Sequence, residues 1–271
     1  MPPERAKRGP ACANVARRAP RADHSSADPA MPNRPPSLSI VIPALDEAEH
    51  LPKLLAQLEG ARARGAEVVL VDGGSSDGTA RIAEEAGIQV IWSPAGRARQ
   101  LQAGIDATRG EAVWLLHADS DIDPMADQHV VWALANALRP WGRFSVRIAG
   151  RHPLLRVVAR MMNLRSRLTG IATGDQGIFA LREALERVGG VPQLPIMEDV
   201  ELSRRLNDLC PPICLAKRVT TSGRRWEHHG VLRTILLMWR LRFAHWRGVD
   251  AAELARRYRA SDQVRDGLGA A

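Results

Sequence analysis

At 271 residues, with 45% hydrophobic and 25% charged residues, the chain has the makeup of an ordinary globular protein able to bury one sizeable core. No apolar run reaches the roughly 18 residues that span a bilayer; the most apolar stretch, Val231 to Leu241, is broken by Arg233 and Arg240. The net charge of +8 is concentrated at two places, +4 in residues 1–36 and +7 in residues 217–247, which leaves the rest at −3. A nucleic-acid binder spreads basic residues over its folded body and interleaves aromatic platforms. With a slightly acidic body and 4% aromatic residues, no nucleic-acid partner is expected.

Residues 1–36 are rich in Pro, Ala and Arg without a hydrophobic period and are expected to form a disordered basic tail. They carry no apolar signal core, and Met31 is a candidate true initiator of an over-extended start. Leu38 to Ile42 reads as a buried strand ended by Pro43, followed by an amphipathic helix over 47–60. Glu67 to Val71 is a second strand and Asp77 to Ala86 a helix stopped by Gly87. A strand at Ile88 to Trp92, a helix at 97–108 and a strand at Ala112 to Leu116 complete the alternation. Four strands alternating with three helices imply right-handed crossovers and a mostly parallel, Rossmann-like sheet with flanking helices. In such α/β sheets the ligand lies beyond the carboxyl ends of the strands.

Beyond residue 125 a helix is expected at 126–138, a strand at 143–149 and a basic amphipathic helix at 154–168. Further strands at 178–181 and 213–219 flank a helix at 199–209, and helices at 231–247 and 251–259 precede a flexible tail at 261–271. Cys12, Cys210 and Cys214 match no metal-ligand or thioredoxin spacing. Cys210-Pro-Pro-Ile-Cys214 reads as a turn before a strand rather than a redox pair, and the sparse, odd count fits a reducing cytoplasm.

Three acidic clusters stand at strand-to-loop junctions. In Val71-Asp72-Gly73-Gly74-Ser75-Ser76-Asp77-Gly78-Thr79, the glycines allow close backbone approach to a ligand, Asp72 can accept hydrogen bonds, and Ser76 or Asp77 can cap a helix. A plain tight turn with an N-cap explains the same residues equally well. His117-Ala118-Asp119-Ser120-Asp121-Ile122-Asp123-Pro124 packs hard oxygen ligands closely after a strand. That density suits Mg²⁺ or Mn²⁺ shared with substrate phosphates better than a bare acidic turn of mutually repelling charges. Glu198-Asp199 opens a helix, where the dipole alone favours carboxylates.

In this order the clusters resemble those of the inverting family 2 glycosyltransferases, which have the GT-A fold. The resemblance runs from about Leu38 to Trp226 and rests on Ile42-Pro43-Ala44-Leu45-Asp46-Glu47, the Asp72–Thr79 run, His117-Ala118-Asp119 and Glu198-Asp199. Gly96-Arg97-Ala98-Arg99-Gln100, Thr173-Gly174-Asp175-Gln176-Gly177 and Arg224-Arg225-Trp226 also resemble a bacterial subgroup labelled arsenosugar-biosynthesis or selenium-associated glycosyltransferases.

The resemblance implies a nucleotide-sugar-binding half at 37–125 and an acceptor-binding half at 126–260 of the same domain, ending in a helical elaboration. It implies a donor site of Pro43, Asp46, Glu47, Asp72, Gly74, Arg97, Asp119, Arg225 and Trp226, with a UDP-sugar the expected donor. Asp119 would hold a divalent metal, Mg²⁺ or Mn²⁺, with His117 a second ligand; His117 stands where relatives carry Asp, and packing beneath the site is its other reading. Asp199 would be the general base, and Asp175, Gln176 and Glu198 would face an unidentified small-molecule or lipid-linked acceptor. His228 and His229 read as surface residues before metal ligands. A non-catalytic nucleotide-sugar-binding module is the alternative; a nucleotidyltransferase would want a Gly-rich basic phosphate loop where Pro43-Ala44-Leu45-Asp46-Glu47 stands. The C-terminal helix with Trp239, Arg240, Arg242, Trp246 and Arg247 has a membrane-surface composition. Packing on the sheet with solvated arginines is its plainer reading, and a cytoplasmic protein with at most peripheral membrane contact is expected.

Overall fold

β-branched and aliphatic runs build the centre of the molecule, because strands covered on both faces need apolar residues at successive positions. The computed structural model describes residues 35–266; Met31 and the rest of the expected N-terminal tail to residue 34 lie outside the described residues. Strands β1 (Leu38–Ala44), β2 (Glu67–Asp72), β3 (Gln89–Trp92) and β4 (Ala112–Leu115) pair in parallel. They are linked by helices α1 (Leu51–Ala63), α2 (Thr79–Glu85) and α3 (Arg97–Ala107). After α4 (Ala126–Asn136) come β5 (Trp141–Ile148), α5 (Leu154–Thr169), β6 (Ile178–Leu181) and α6 (Arg182–Arg187). The chain continues through α7 (Glu198–Leu209), β7 (Ile213–Thr221), α8 (Arg224–His229), α9 (Val231–Trp246) and α10 (Ala251–Asp266). The single seven-stranded sheet runs β3-β2-β1-β4-β6-β5-β7. Only β6 is antiparallel to its neighbours, while β7 pairs parallel with β5.

Alternate side chains serve opposite faces. Ile40, Ile42, Leu70, Trp114 and Leu116 share one buried cluster with Leu51, Leu54 and Leu58 of α1. Val41, Val69, Val71, Val113 and Leu115 share another with Leu101 and Ile105 of α3 and with Leu202 and Leu206 of α7. Gly104 lets α3 lie against the sheet: a Cβ there would stand 2.9 Å from Val71 Cγ2 and closer still to Val41. Trp114 stacks on Phe144 with ring centroids 5.2 Å apart, and Phe144 meets Phe179 edge-on at 5.7 Å. Aromatic contacts thus tie β4, β5 and β6 across the middle of the sheet.

The structure corrects several expected boundaries. Pro43 does not end β1, which pairs with β2 through Ala44. β4 pairs with β1 only through Val41, so the missing Pro43 N–H falls beyond that ladder and leaves no acceptor wanting. Helix α1 starts at Leu51 rather than 47. The backbone N–H groups of Asp46, Glu47 and Ala48 are taken by Ser75, Thr79 and Asp77, and Pro52 suits a first helical turn. Short helices α6 and α8 have too few residues to show a period, and α10 extends through positions expected as tail. Cys214 is a free thiol, so it is not bridged to Cys210.

Candidate active site

The carboxyl ends of β1 and β2 meet in a clasp. Asp72 is fully buried, and its carboxylate accepts hydrogen bonds from the Gly74 and Ser75 backbone N–H groups, both at 2.8 Å, and from the Ser75 hydroxyl. Gly74 makes the turn in the left-handed region, at φ +97°. Asp46 is also left-handed at φ +53°, a conformation that Asp and Asn tolerate best among residues with side chains. It receives the Ser76 N–H at 2.8 Å. Asp77 accepts the Thr79 N–H at 3.0 Å and the Ala48 N–H at 2.9 Å, but Gly78 is the cap residue of α2. Gln100 donates to the Ala44 and Val71 carbonyls at 2.7 and 2.9 Å, bridging the carboxyl ends of β1 and β2.

The loop after β4 is fixed by a two-residue bridge, Asp121 with Thr220, whose N–H groups exchange bonds at 2.7 and 2.8 Å. Asp121 itself is engaged by Lys53 and Gln57, both at 2.6 Å. Burial pulls its carboxyl up, but the Lys53 hydrogen bond leads the contacts that hold it below its ordinary value. Asp123 accepts the Met125 N–H. Asp119 alone of the three faces the site, half-buried, with the Thr221 hydroxyl 3.5 Å from its Oδ2. The nearby Glu47 carboxyl is pushed up by burial and then by the charge of Asp119.

A second group lies on the far side of Thr221. Its hydroxyl is also 3.5 Å from Asp175 Oδ1, and His117 Nδ1 approaches the same oxygen at 3.5 Å. His117 Nε2 abuts Gly174, where an added Cβ would collide with the ring. Both imidazole nitrogens are therefore turned toward the 173–176 turn. Burial raises the Asp175 carboxyl, but His117, Arg97 and Thr221 together hold it below its ordinary value.

Met197, left-handed at φ +66°, turns the chain into α7 so that Glu198 and Asp199 point inward. Asp199 accepts the Gly174 N–H and the Val200 N–H, each at 2.7 Å. Glu198 is buried, and its Oε1 has no hydrogen-bond partner; Arg97 stands 3.7 Å away. Burial first and the Asp199 charge second push the Glu198 carboxyl up. A small cavity of about 10 Å³ is lined by Arg97, His117, Gly174, Glu198 and Asp199.

Several residues stand elsewhere than expected. Gln176 is fully buried, and its amide donates to Ser166 at 3.0 Å while its carbonyl closes a capping box on Thr173. Arg97 lies among the carboxylates of Glu198, Asp199 and Asp175. Trp226 packs with Val146, Leu155 and Val231 on the wall of a separate open cleft of about 670 Å³. The side chains of Arg225, His228 and His229 lie outside the described residues. Arg224, which the sequence reading passed over beside Arg225, reaches the β1 loop at Glu49, 3.3 Å away. Thr221 was also missed, since a hydroxyl at a strand end carries no motif.

A mixed sheet with acidic loops at its carboxyl edge and a carboxylate pair opening a following helix defines a GT-A-type α/β protein. The model of glycosyl transferase family 2 matches residues 39–175, half of the chain, and the chain belongs to that family. It is 32% identical over 155 residues to an undecaprenyl-phosphate 4-deoxy-4-formamido-L-arabinose transferase of Pseudomonas fluorescens, covering 52% of this chain and 44% of that one. The chain thus spans less than half the length of that relative. Among solved structures, glucosyl-3-phosphoglycerate synthase of Mycobacterium tuberculosis, with Mn²⁺, UDP and glucosyl-3-phosphoglycerate, aligns at TM-score 0.51 and 17% identity. The alignment covers 69% of this chain and 70% of that one. TarS residues 1–349 of S. aureus with UDP aligns at 0.58 and 15% identity, over 69% and 60% of the two chains. The shared fold is that of glycosyltransferases with UDP-bound neighbours.

Proposed function

We propose that the chain moves a sugar from a UDP-sugar to an acceptor hydroxyl in a single displacement that inverts the anomeric carbon. One juxtaposition carries the reading: Thr221 stands within 3.5 Å of both Asp119 and Asp175, and Asp199 holds the neighbouring Gly174 N–H. The metal-motif carboxylate and the base candidate therefore face one space from opposite sides. Residues 37–125 would hold the nucleotide at the Asp46–Thr79 clasp, with Pro43 beneath it and Arg224 above. Residues 126–260 would present the acceptor to Asp175, Glu198 and Asp199.

The donor set fits a divalent ion shared with substrate rather than one caged by protein. Among the described residues no group of three or more His, Cys, Asp or Glu side chains is placed to hold a metal. Asp119, with Glu47 nearby, offers the one or two carboxylates that Mg²⁺ or Mn²⁺ takes alongside phosphate oxygens. When bound, such an ion supplies positive charge to the leaving diphosphate. Asp199, oriented by two N–H donors, takes the proton of the acceptor hydroxyl. The acceptor oxygen then bonds to the anomeric carbon as the bond to the diphosphate oxygen breaks, and UDP leaves. Arg97 steadies Asp199 and Glu198 in place.

The Pseudomonas fluorescens relative is named for undecaprenyl phosphate, which makes a lipid-linked acceptor the first to try. The resemblance to the arsenosugar and selenium-associated subgroup rests on its motifs alone and names no acceptor. Calorimetric titration with UDP-, GDP- and dTDP-sugars, with Mn²⁺ or with chelator, tests the reading. UDP-sugar binding that requires Mn²⁺ and weakens at least tenfold in Asp119→Ala is expected. Equal binding in chelator overturns the metal assignment, and no nucleotide binding at all favours the non-catalytic module.

A further inference from the structure

Two helices of the C-terminal half present apolar residues to solvent at helical spacing. On α5 these are Val157, Met161, Leu164 and Leu168, each at least half exposed and Leu168 at 76%. On α9 they are Leu232, Leu236, Trp239, Phe243 and Trp246, the last at 80%. The α5 series steps by four, three and four residues and the α9 series by four, three, four and three, so each forms a stripe along one helix face. The plainer sequence reading of α9, packed against the sheet, accounts only for its other side. There Val231 and Ile235 join Leu155 and Ala159 of α5 in a buried cluster, while Leu241 packs with Met197 and Leu254. The two stripes thus belong to neighbouring helices, and the open cleft bordered by Pro153, Leu232 and Arg233 lies at their N-terminal ends.

Charge decides what covers them. Neither helix contains an Asp or Glu, and together they carry seven Arg. Arg156, Arg160, Arg167, Arg233 and Arg240 are exposed beside the stripes. A second copy of this chain would set these arginines against their own kind. A bilayer rich in anionic lipid meets both demands. Aliphatic and Trp side chains settle at the headgroup–acyl boundary, and Arg stems lie along the apolar surface while their guanidinium groups reach lipid phosphates. No described helix is long and apolar enough to cross a membrane, so contact would be along the surface.

We infer that the α5–α9 face docks on an anionic membrane surface. The inference does not depend on the transfer reaction. The test is co-sedimentation of the full chain with vesicles of phosphatidylcholine alone or with about a third phosphatidylglycerol, together with light scattering of the protein without lipid. Binding to the anionic vesicles at least tenfold stronger than to neutral ones, weakened by salt, is expected. Trp239→Gln with Trp246→Gln should lower it at least tenfold, and Arg160→Gln with Arg240→Gln should remove the anionic preference. Both pairs are exposed, so the folded circular dichroism spectrum is retained. Equal binding to both vesicles, no binding to either, or a dimer that Trp239→Gln and Trp246→Gln dissociate would overturn the inference.

Discussion

At the ends of β1 and β2 the carboxylates of Asp72, Asp46 and Asp77 are each met by backbone N–H groups of adjoining loops, whereas at the start of α7 Glu198 is buried with one oxygen unpartnered. The two clusters have similar composition and opposite electrostatics. In the first, negative charge is spent on holding two loops together, so the clasp stands ready-made beneath a nucleotide. In the second, Glu198 crowds Asp199, and Arg97, 3.7 Å from Glu198, offsets the crowding in part. The first cluster is closed on itself, while the second keeps one buried carboxylate oxygen, on Glu198, without a hydrogen bond.

Breaking each side should therefore give different failures. Asp199→Asn is expected to lower the transfer rate by ~10³-fold while UDP binding stays within a few-fold, read by single-turnover kinetics beside calorimetry. Asp72→Ala should do the reverse in kind. It strands the Gly74 and Ser75 donors and costs about 3 kcal/mol of stability, measured by urea unfolding, with nucleotide binding lost as the loop opens.

Glu198→Gln sharpens the contrast through pH. The folded chain holds the Glu198 proton more tightly than the unfolded chain does, so burial costs nothing below the ordinary value of 4.5 and grows as pH rises through the raised pKa. The variant should be more stable than wild type at pH 8 by on the order of 1 kcal/mol, and the gap should close by about pH 4.5.

Glu201 on the same helix has the opposite sign. The Arg204 hydrogen bond, helped by Arg205, lowers it to about 2. Its contribution is present above 4.5 and fades as pH falls toward 2. Because its arginine partners are solvent-facing, Glu201→Gln should cost only a few tenths of a kcal/mol at pH 7, seen in the same unfolding curves.

The parallel half of the fold was legible because strands buried on both faces read as unbroken runs, as at Val68 to Val71, and short helices return between them. The antiparallel entry of β6 was not, since Ile178 to Leu181 is apolar in either direction and nothing local says which strands it joins. Helix α1 slipped by four residues because the backbone N–H groups of its expected first turn donate instead to Ser75, Asp77 and Thr79. At the site, Asp119 and Asp199 were reachable through their motifs. The inward turn of His117 and Gln176 depends on the Gly174 backbone and on Ser166, both remote from the residues that suggested a ligand.

The insertion of β6 has a consequence for synthesis. Strands β1 to β4 are complete once Leu115 has left the ribosome, yet the partner that covers the far side of β4 begins more than sixty residues later, at Ile178. At ordinary elongation rates that interval lasts several seconds. During it the nascent sheet carries an open edge at Ala112–Leu115, with Trp114 lacking both Phe144 and Phe179, and such an edge invites pairing with a neighbouring chain. Growing polypeptides on one message would be most prone to join there, and a chaperone that shields this strand would act before the C-terminal half exists.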